Sequence, residues 1–242
     1  MNIRICKDYN EMSLVASELL ATEIKNKNNL TIGLATGSTP IGLYKNLIKM
    51  HNEKIIDFSK VKTFNLDEYY GLNKSHPQSY HYFMKENLFN HINIDLNNTH
   101  IPLGIAPDIE KECTNYDDLI QNNGGIDVQI LGIGSNGHIA FNEPSNIFKS
   151  GTYLVDLTEE TIKANSRFFE SIEDVPTKAI TMGIGSIFKA KKIILLASGK
   201  NKAKAIYDTI YGDIDPNVQS SILQLHPNVT LIIDEESAEL VK

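Results

Sequence analysis

Short runs of apolar and β-branched residues alternate along this chain with longer stretches in which apolar positions return every three or four residues. The short runs are Leu30–Ala35, Val61–Asn65, Val128–Gly132, Lys178–Met182, Lys192–Ala197 and Val229–Ile233, each reading as a strand buried on both faces. Between them, Tyr9–Lys27, Pro40–Asn52, Ser79–Phe89, Asp108–Asn122, Glu159–Phe169 and Asn201–Tyr211 carry the helical period. This alternation predicts an α/β fold with one doubly wound, mostly parallel, Rossmann-like sheet and helices on both faces. No internal repeat, low-complexity tract or Pro/Ser-rich linker divides the chain, so a single domain over residues 1–242 is expected. Phe148–Pro176 breaks the alternation, is polar and lies near the loop richest in chemistry; it is a candidate lid, with a peripheral helix as the plain alternative.

Directly after the strand ending at Ala35 comes Thr36-Gly-Ser-Thr-Pro-Ile-Gly-Leu-Tyr44, a tight turn that opens a helix. Pro40 suits the first helical position, Ser38 or Thr39 can cap the free amides, and Gly37 lets the main chain approach a ligand or take positive φ. Such amides, with the helix dipole, favour an anion such as phosphate. No Gly-Lys-Ser/Thr closes the run, which removes the P-loop reading. A capped helix with no ligand looks the same in isolation, so this turn gains meaning only from its neighbours.

The next strand runs into Asn65-Leu-Asp-Glu68, at the carboxyl end where open α/β sheets bind ligands. Strand alternation sends Asp67 and Glu68 to opposite sides, and Asp67, sharing parity with Asn65, is the one expected in the crevice. Two solvated loop acids are the plain alternative. Further on, Gly132-Ile-Gly-Ser-Asn-Gly137 is literally G-x-G-x-x-G, yet Asn142-Glu-Pro144 arrives too soon for the helix that a dinucleotide fingerprint must open. What remains is a glycine-rich loop presenting His138 and Glu143. Their spacing is not the i, i+4 of a helical metal pair. A carboxylate that orients an imidazole fits better: one ring nitrogen donates to Glu143 and the other exchanges a proton with substrate. His51, His76, His81, His91, His100 and His226 lack such a setting and read as structural.

Composition narrows the partners. With 23 Lys+Arg against 30 Asp+Glu the formal net charge is −7, which opposes nucleic-acid binding and requires that an anionic substrate be held by a local site. No run of about 18 apolar residues spans a bilayer, and the N-terminus lacks the apolar region of a signal peptide, so no membrane association and a cytoplasmic location are expected. Cys6 and Cys113 offer neither a disulfide framework nor zinc spacing and read as plain thiols. Neither metal nor cofactor is expected.

Six blocks taken in order carry a resemblance: Ala35–Pro40, Phe64–Tyr69, Gly134–Pro144, Ala164–Phe169, Gly199–Ala203 and Leu223–Pro227. Together they resemble the glucosamine-6-phosphate deaminase (glucosamine/galactosamine-6-phosphate isomerase) family over nearly the whole chain, and it is the ensemble that is specific. The resemblance implies conversion of glucosamine 6-phosphate and water to fructose 6-phosphate and ammonia. It implies that His138, oriented by Glu143, assists ring opening and that Asp67 moves the C2 proton towards C1. For the phosphate it points to Gly37, Ser38 and Thr39, with Arg167 and Lys202 supplying charge. Many members carry Asp where this chain has Asn136, so the histidine's surroundings hold one carboxylate fewer and the pull towards imidazolium is weaker. The basic residues that regulated, longer members use for an N-acetylglucosamine 6-phosphate effector are replaced around Tyr153-Leu-Val155. A monomer or small homo-oligomer without allosteric control is therefore expected. Two other readings stay open at this point: a 6-phosphogluconolactonase-like hydrolase, which shares the fold and the cradle, and a non-catalytic sugar-phosphate sensor, which would not need Asp67 or His138.

Overall fold

The computed structural model describes residues 1–242. In chain order the elements are β1 (Asn2–Cys6), α1 (Tyr9–Asn26), β2 (Thr31–Leu34), α2 (Ile41–Asn52), β3 (Lys62–Asn65), β4 (Asp67–Tyr69), α3 (Tyr80–Asn87), β5 (Thr99–His100) and α4 (Ile109–Asn122). They continue with β6 (Val128–Leu131), β7 (Tyr153–Asp156), α5 (Glu159–Asn165), β8 (Lys178–Thr181), α6 (Ile184–Phe188), β9 (Lys192–Ala197), α7 (Ala203–Tyr211) and β10 (Val229–Asp234). Seven strands form a parallel sheet in the order β1-β10-β9-β6-β2-β3-β5. From β2 the chain builds outward through β3 to β5, then returns to β6 on the other side and builds outward through β9 and β10. Direction reverses between β2 and β6, and this is the switch point where the expected crevice must open.

Both faces of the sheet are covered, as the doubly wound reading requires. One core packs Met12, Ala16 and Leu20 of α1 and Leu43, Tyr44 and Leu47 of α2 against Ile32, Leu34, Ile130 and Ile194. The other packs Tyr116 and Ile120 of α4, Ile184 and Ile187 of α6, and Ala205 and Ile206 of α7 against Leu131, Leu195 and Leu231. The helices start where short polar side chains can take orphan amides. Asp8 accepts from Asn10 and Glu11 at α1, Ser79 from Tyr82 at α3, Asp108 from Lys111 at α4 and Thr158 from Thr161 at α5.

Several local expectations need correction. Lys178–Met182, which reads as another strand of the parallel sheet, forms β8 and lies antiparallel between β4 and β7 in a separate three-stranded sheet. Its run is as buried as those of the central strands of the large sheet, so burial alone could not reveal its partners. β1 escapes the pattern because it is an edge strand whose first four residues are exposed. β4, β5 and β7 are too short to show a period. The stretch 148–176 is more than a peripheral helix: it contributes β7 to the small sheet before entering α5. Two regions read as continuous helices, Glu159–Phe169 and Asn201–Tyr211, each combine an α segment with a 3₁₀ turn at the end nearer the crevice.

Asp127, just before β6, joins three elements. Its carboxylate accepts from the Thr31 N–H at 2.9 Å and from Lys27 Nζ at 2.5 Å and Lys191 Nζ at 2.8 Å. Burial pushes the carboxyl pKa up, but the two lysines and the amide outweigh it, and the net position is below the ordinary aspartate value. A lowered folded-state pKa adds stability that is complete above the unfolded value and lost as pH falls through the folded one. Asp127→Ala should therefore destabilise the protein by about 1–3 kcal/mol at pH 7. In urea unfolding this deficit should shrink as the medium is taken to pH 3; a deficit of equal size at both pH values would contradict the charge-based account.

Candidate active site

The turn after β2 carries an anion cradle. Gly37 takes φ +89° with open space where a Cβ would point, a conformation that favours glycine. The N–H groups of Gly37, Ser38 and Thr39 donate to no group of the chain, so they are free for a ligand. The expected side-chain cap is not made. Pro40 itself stands at the cap of α2 with φ −81°, and the turn closes through backbone, Ile41 N–H to the Ser38 carbonyl at 3.4 Å. Tyr9 of α1 supplies the acceptor instead, its hydroxyl taking the Gly42 N–H at 2.8 Å and donating to the Ser38 carbonyl at 3.1 Å. The Ser38 hydroxyl is thereby left to accept from Arg167 Nη2 at 3.4 Å.

Two cations from distant parts of the chain converge on this turn. Arg167 lies in the 3₁₀ turn after α5, its guanidinium stacked 4.7 Å from the Phe168 ring centroid. Lys202 lies in the 3₁₀ turn after β9, beyond Gly199 at φ +94°, where Asp234 fixes the loop by accepting from Ser198 Oγ and the Gly199 N–H. Burial, and then the like charge of Arg167, hold the Lys202 ammonium below its ordinary pKa, with Glu160 opposing. Two cations facing one carboxylate, Glu160, leave an excess of positive charge that a phosphate would relieve.

At the end of β3 the chain crosses into β4, and Asp67 and Glu68 face opposite ways as strand parity requires. Asp67 lines the cleft, 5% exposed, with its carboxyl pushed up to about 8 by burial and by the neighbouring Glu68. Glu68 points to the other side, where it accepts from the first amides of α3.

The loop after β6 places the imidazole. A Cβ at Gly134 would stand 2.4 Å from the His138 ring, so the ring lies over the Gly134 backbone only because that residue has no side chain. Gly134 N–H donates to the His138 carbonyl at 2.9 Å, and the His138 N–H donates to Asn136 Oδ1 at 3.1 Å. Ala140, also on the cleft, takes φ +52°, an uncommon conformation for a residue with a Cβ. Glu143 is more fully engaged than its sequence suggests. Oε1 accepts from the Thr161 hydroxyl and from Thr158 Oγ1 at 3.3 Å, while Oε2 accepts from Asn136 Nδ2 at 3.3 Å. His138 Nδ1 lies 3.4 Å from Oε2, within ion-pair reach but without hydrogen-bonding alignment, so the expected direct bond is drawn out to an electrostatic contact. The physical reason is competition, since every Glu143 oxygen already has a donor. Burial raises the Glu143 carboxyl, but His138, Thr161 and Asn136 together bring it below the ordinary value, which keeps it ionised beside the ring.

Gly37, Ser38, Thr39, Asp67, His138, Arg167 and Lys202 line one cleft of about 390 Å³, and Glu143 and Asn136 support it from behind. His138 is the one histidine on its wall; of those read as structural, His81 bonds Glu68, His226 bonds the Ala190 carbonyl and His100 stacks on Phe64. Both cysteines are buried free thiols away from the cleft. Tyr80, Ser135, Glu160, Thr161, Asn165, Ser198 and Asn201 also line it and escape the sequence reading. One signal was available: Glu160, Ala164 and Arg167 fall at i, i+4 and i+7, one helical face. Ser135 Oγ donates to Glu160 Oε1 at 2.7 Å, so α5 is bonded to the histidine loop at this point as well as through Glu143.

Comparison with known proteins agrees with this geometry. Residues 10–228 match the family model described as glucosamine-6-phosphate isomerases/6-phosphogluconolactonase. A glucosamine-6-phosphate deaminase of Clostridium novyi (strain NT) is 62% identical, covering 98% of this chain and 99% of its own length. One from Clostridioides difficile (strain 630) is 60% identical, over 98% and 96%. A solved monomeric glucosamine-6-phosphate deaminase superposes with TM-score 0.97 at 46% identity, covering 99% of this chain and all, 100%, of its own. The 6-phosphogluconolactonase of Leishmania guyanensis has TM-score 0.77 at 20% identity, which shows a shared fold and no more. With a family model spanning most of the chain and full-length relatives at this identity, the chain belongs to the glucosamine-6-phosphate isomerase/6-phosphogluconolactonase family.

Proposed function

We propose that the chain is a glucosamine-6-phosphate deaminase, converting glucosamine 6-phosphate and water to fructose 6-phosphate and ammonia. The observation that carries this reading is one cleft holding an anion cradle, a buried carboxylate of raised pKa and an imidazole backed by an ionised carboxylate. The full-length relatives of that name at 62% and 60% identity support it.

The free amides of Gly37, Ser38 and Thr39 hold the phosphate, and Arg167 and Lys202 balance its charge. At the far end His138 takes the proton of the anomeric hydroxyl through Nε2 and returns it to the ring oxygen, opening the sugar; Glu143 stabilises the transient imidazolium. Asp67 then removes the C2 proton, made acidic by the adjacent C1 carbonyl, and delivers it to C1. The C1 oxygen takes up a proton as the carbonyl becomes a hydroxyl, leaving an iminium at C2; water adds there, and ammonia and the proton depart. A lactone hydrolase has no carbon acid to deprotonate and a sensor turns nothing over, so neither accounts for a base of this kind in the cleft.

Residues 148–176 act as a lid within a single domain: Arg167 ties phosphate binding to the position of α5, whose first turn bonds Glu143. The chain works as a monomer or small homo-oligomer, and the solved relative described as monomeric supports the first. No helix is long and apolar enough to cross a membrane, and a phosphorylated sugar suits a cytoplasmic enzyme.

Incubation with glucosamine 6-phosphate should release ammonia and fructose 6-phosphate in equal amounts, read by a coupled assay. Asp67→Asn should abolish turnover while sugar-phosphate binding remains; unchanged turnover would remove Asp67 from the mechanism. Because Asp67 must be ionised to act, kcat/KM should rise with pH along an acid limb governed by a group near about 8. A limb in the ordinary carboxylate range would speak against the assignment. Gly134→Ala should drive the imidazole off the loop and lower kcat by at least about 10²-fold, the low end for losing a general acid/base, with much less effect on the thermal midpoint. Near-normal kcat in this variant would show that ring placement does not depend on the missing Cβ.

A further inference from the structure

Glu68 follows the proposed base in β4 but does not touch the catalytic cleft. It is 1% exposed, and its two oxygens accept four hydrogen bonds. Oε1 takes the N–H groups of Tyr69 at 2.8 Å and Tyr80 at 2.9 Å, while Oε2 takes the His81 N–H at 3.0 Å and meets His81 Nδ1 at 2.9 Å. Tyr80 and His81 open α3, but that helix already has a cap in Ser79, whose hydroxyl accepts from Tyr82. A neutral acceptor would serve the remaining amides at lower cost, because placing a second buried carboxylate beside Asp67 is unfavourable for both.

The charges facing this pair are few. Around Asp67 stand the phenols of Tyr44, Tyr69, Tyr80 and Tyr116, each coupled to it through space, and none of them offsets a negative charge. His81 is 13% exposed and lines a second cleft of about 360 Å³ whose other titratable groups are Lys74, Lys85, His100, Glu112 and Tyr116. Burial is the main reason the Asp67 carboxyl is raised, and the one charge that adds to it is that of Glu68.

Resting on the deaminase reading, we propose that Glu68 is a positioning residue for the reaction: a clamped negative charge behind Asp67 that makes it a stronger base towards the C2 proton, with His81 as the clamp. A carbon acid calls for a base whose proton affinity is matched to neutral pH; burial supplies the larger part of that, and a like charge one residue away adds to it without entering the cleft.

The test is ammonia release from glucosamine 6-phosphate against pH, for the unaltered protein and for Glu68→Gln, Glu68→Asp, His81→Lys and His81→Gln. Glu68→Gln keeps an acceptor and removes the charge, so the acid limb of kcat/KM should move down by about 1 pH unit or more. Glu68→Asp keeps the charge and should leave the limb near its original place. His81→Lys sets a permanent cation against Glu68 and should lower the limb relative to His81→Gln, a neutral donor. A purely structural Glu68 would reduce the rate at every pH without moving the limb. Coincident limbs for Glu68→Gln and the unaltered protein overturn the proposal; should Glu68→Gln fail to fold, coincident limbs for His81→Lys and His81→Gln do so. An unaltered protein that releases no ammonia at any pH sinks the deaminase reading and this inference with it, whereas an active protein with immobile limbs sinks the inference alone.

Discussion

Everything at the crevice depends on the reversal of strand order between β2 and β6. Parallel strands all end on one edge of a sheet, but neighbouring connections normally leave that edge on the same side and cover it. Where the winding direction changes, the connections diverge and the ends of two adjacent strands stay uncovered. Here those ends deliver the Gly37–Thr39 turn and the Gly134–His138 loop, with the step from β3 into β4 adding Asp67 and the turn after β9 adding Lys202 alongside. Four segments far apart in sequence meet without any long loop having to reach across.

The charges at this edge are arranged in two opposite imbalances. Lys202 and Arg167 stand close together with little to neutralise them, while Asp67 is buried beside a second carboxylate with no cation near. Each arrangement costs the empty protein something, and the surrounding sheet fixes both in place. Glucosamine 6-phosphate, the proposed substrate, carries a phosphate anion and an amine that readily takes a proton. Its charge pattern mirrors that of the cleft, which explains how a chain of net charge −7 can hold an anionic sugar.

The parallel sheet was legible because its central strands are short runs rich in apolar and β-branched residues, and the cradle because Gly37 and Pro40 mark a strand-to-helix turn. Parity alone separated Asp67 from Glu68. What sequence could not show is pairing decided by distant partners. Lys178–Thr181 has the composition of a central strand, yet its neighbours are three- and four-residue segments that carry no period of their own. Likewise Tyr80, Ser198 and Asn201 reach the cleft only because their elements dock there. The His138–Glu143 spacing implied partnership but overstated its directness, since the two threonines that occupy the carboxylate come from the fold, and Asn136, read only as one carboxylate fewer beside the histidine, donates to it as well. Tyr9 displaced the expected cap for a similar reason: α1 passes α2 closely enough for its hydroxyl to arrive first.

The hydroxyls of Thr158 and Thr161 that hold Glu143 both belong to the first turn of α5, the helix that leads to Arg167. A displacement of that helix therefore strips donors from the carboxylate behind the imidazole at the same moment as it withdraws the guanidinium from the cradle. Opening the ring of a sugar whose phosphate is not yet seated would expose a reactive aldehyde to solvent and to nearby amines. In the reaction we propose, joining both ends of the cleft through one short helix would act as a chemical safety catch, the acid/base apparatus being complete only while the phosphate end is also in place.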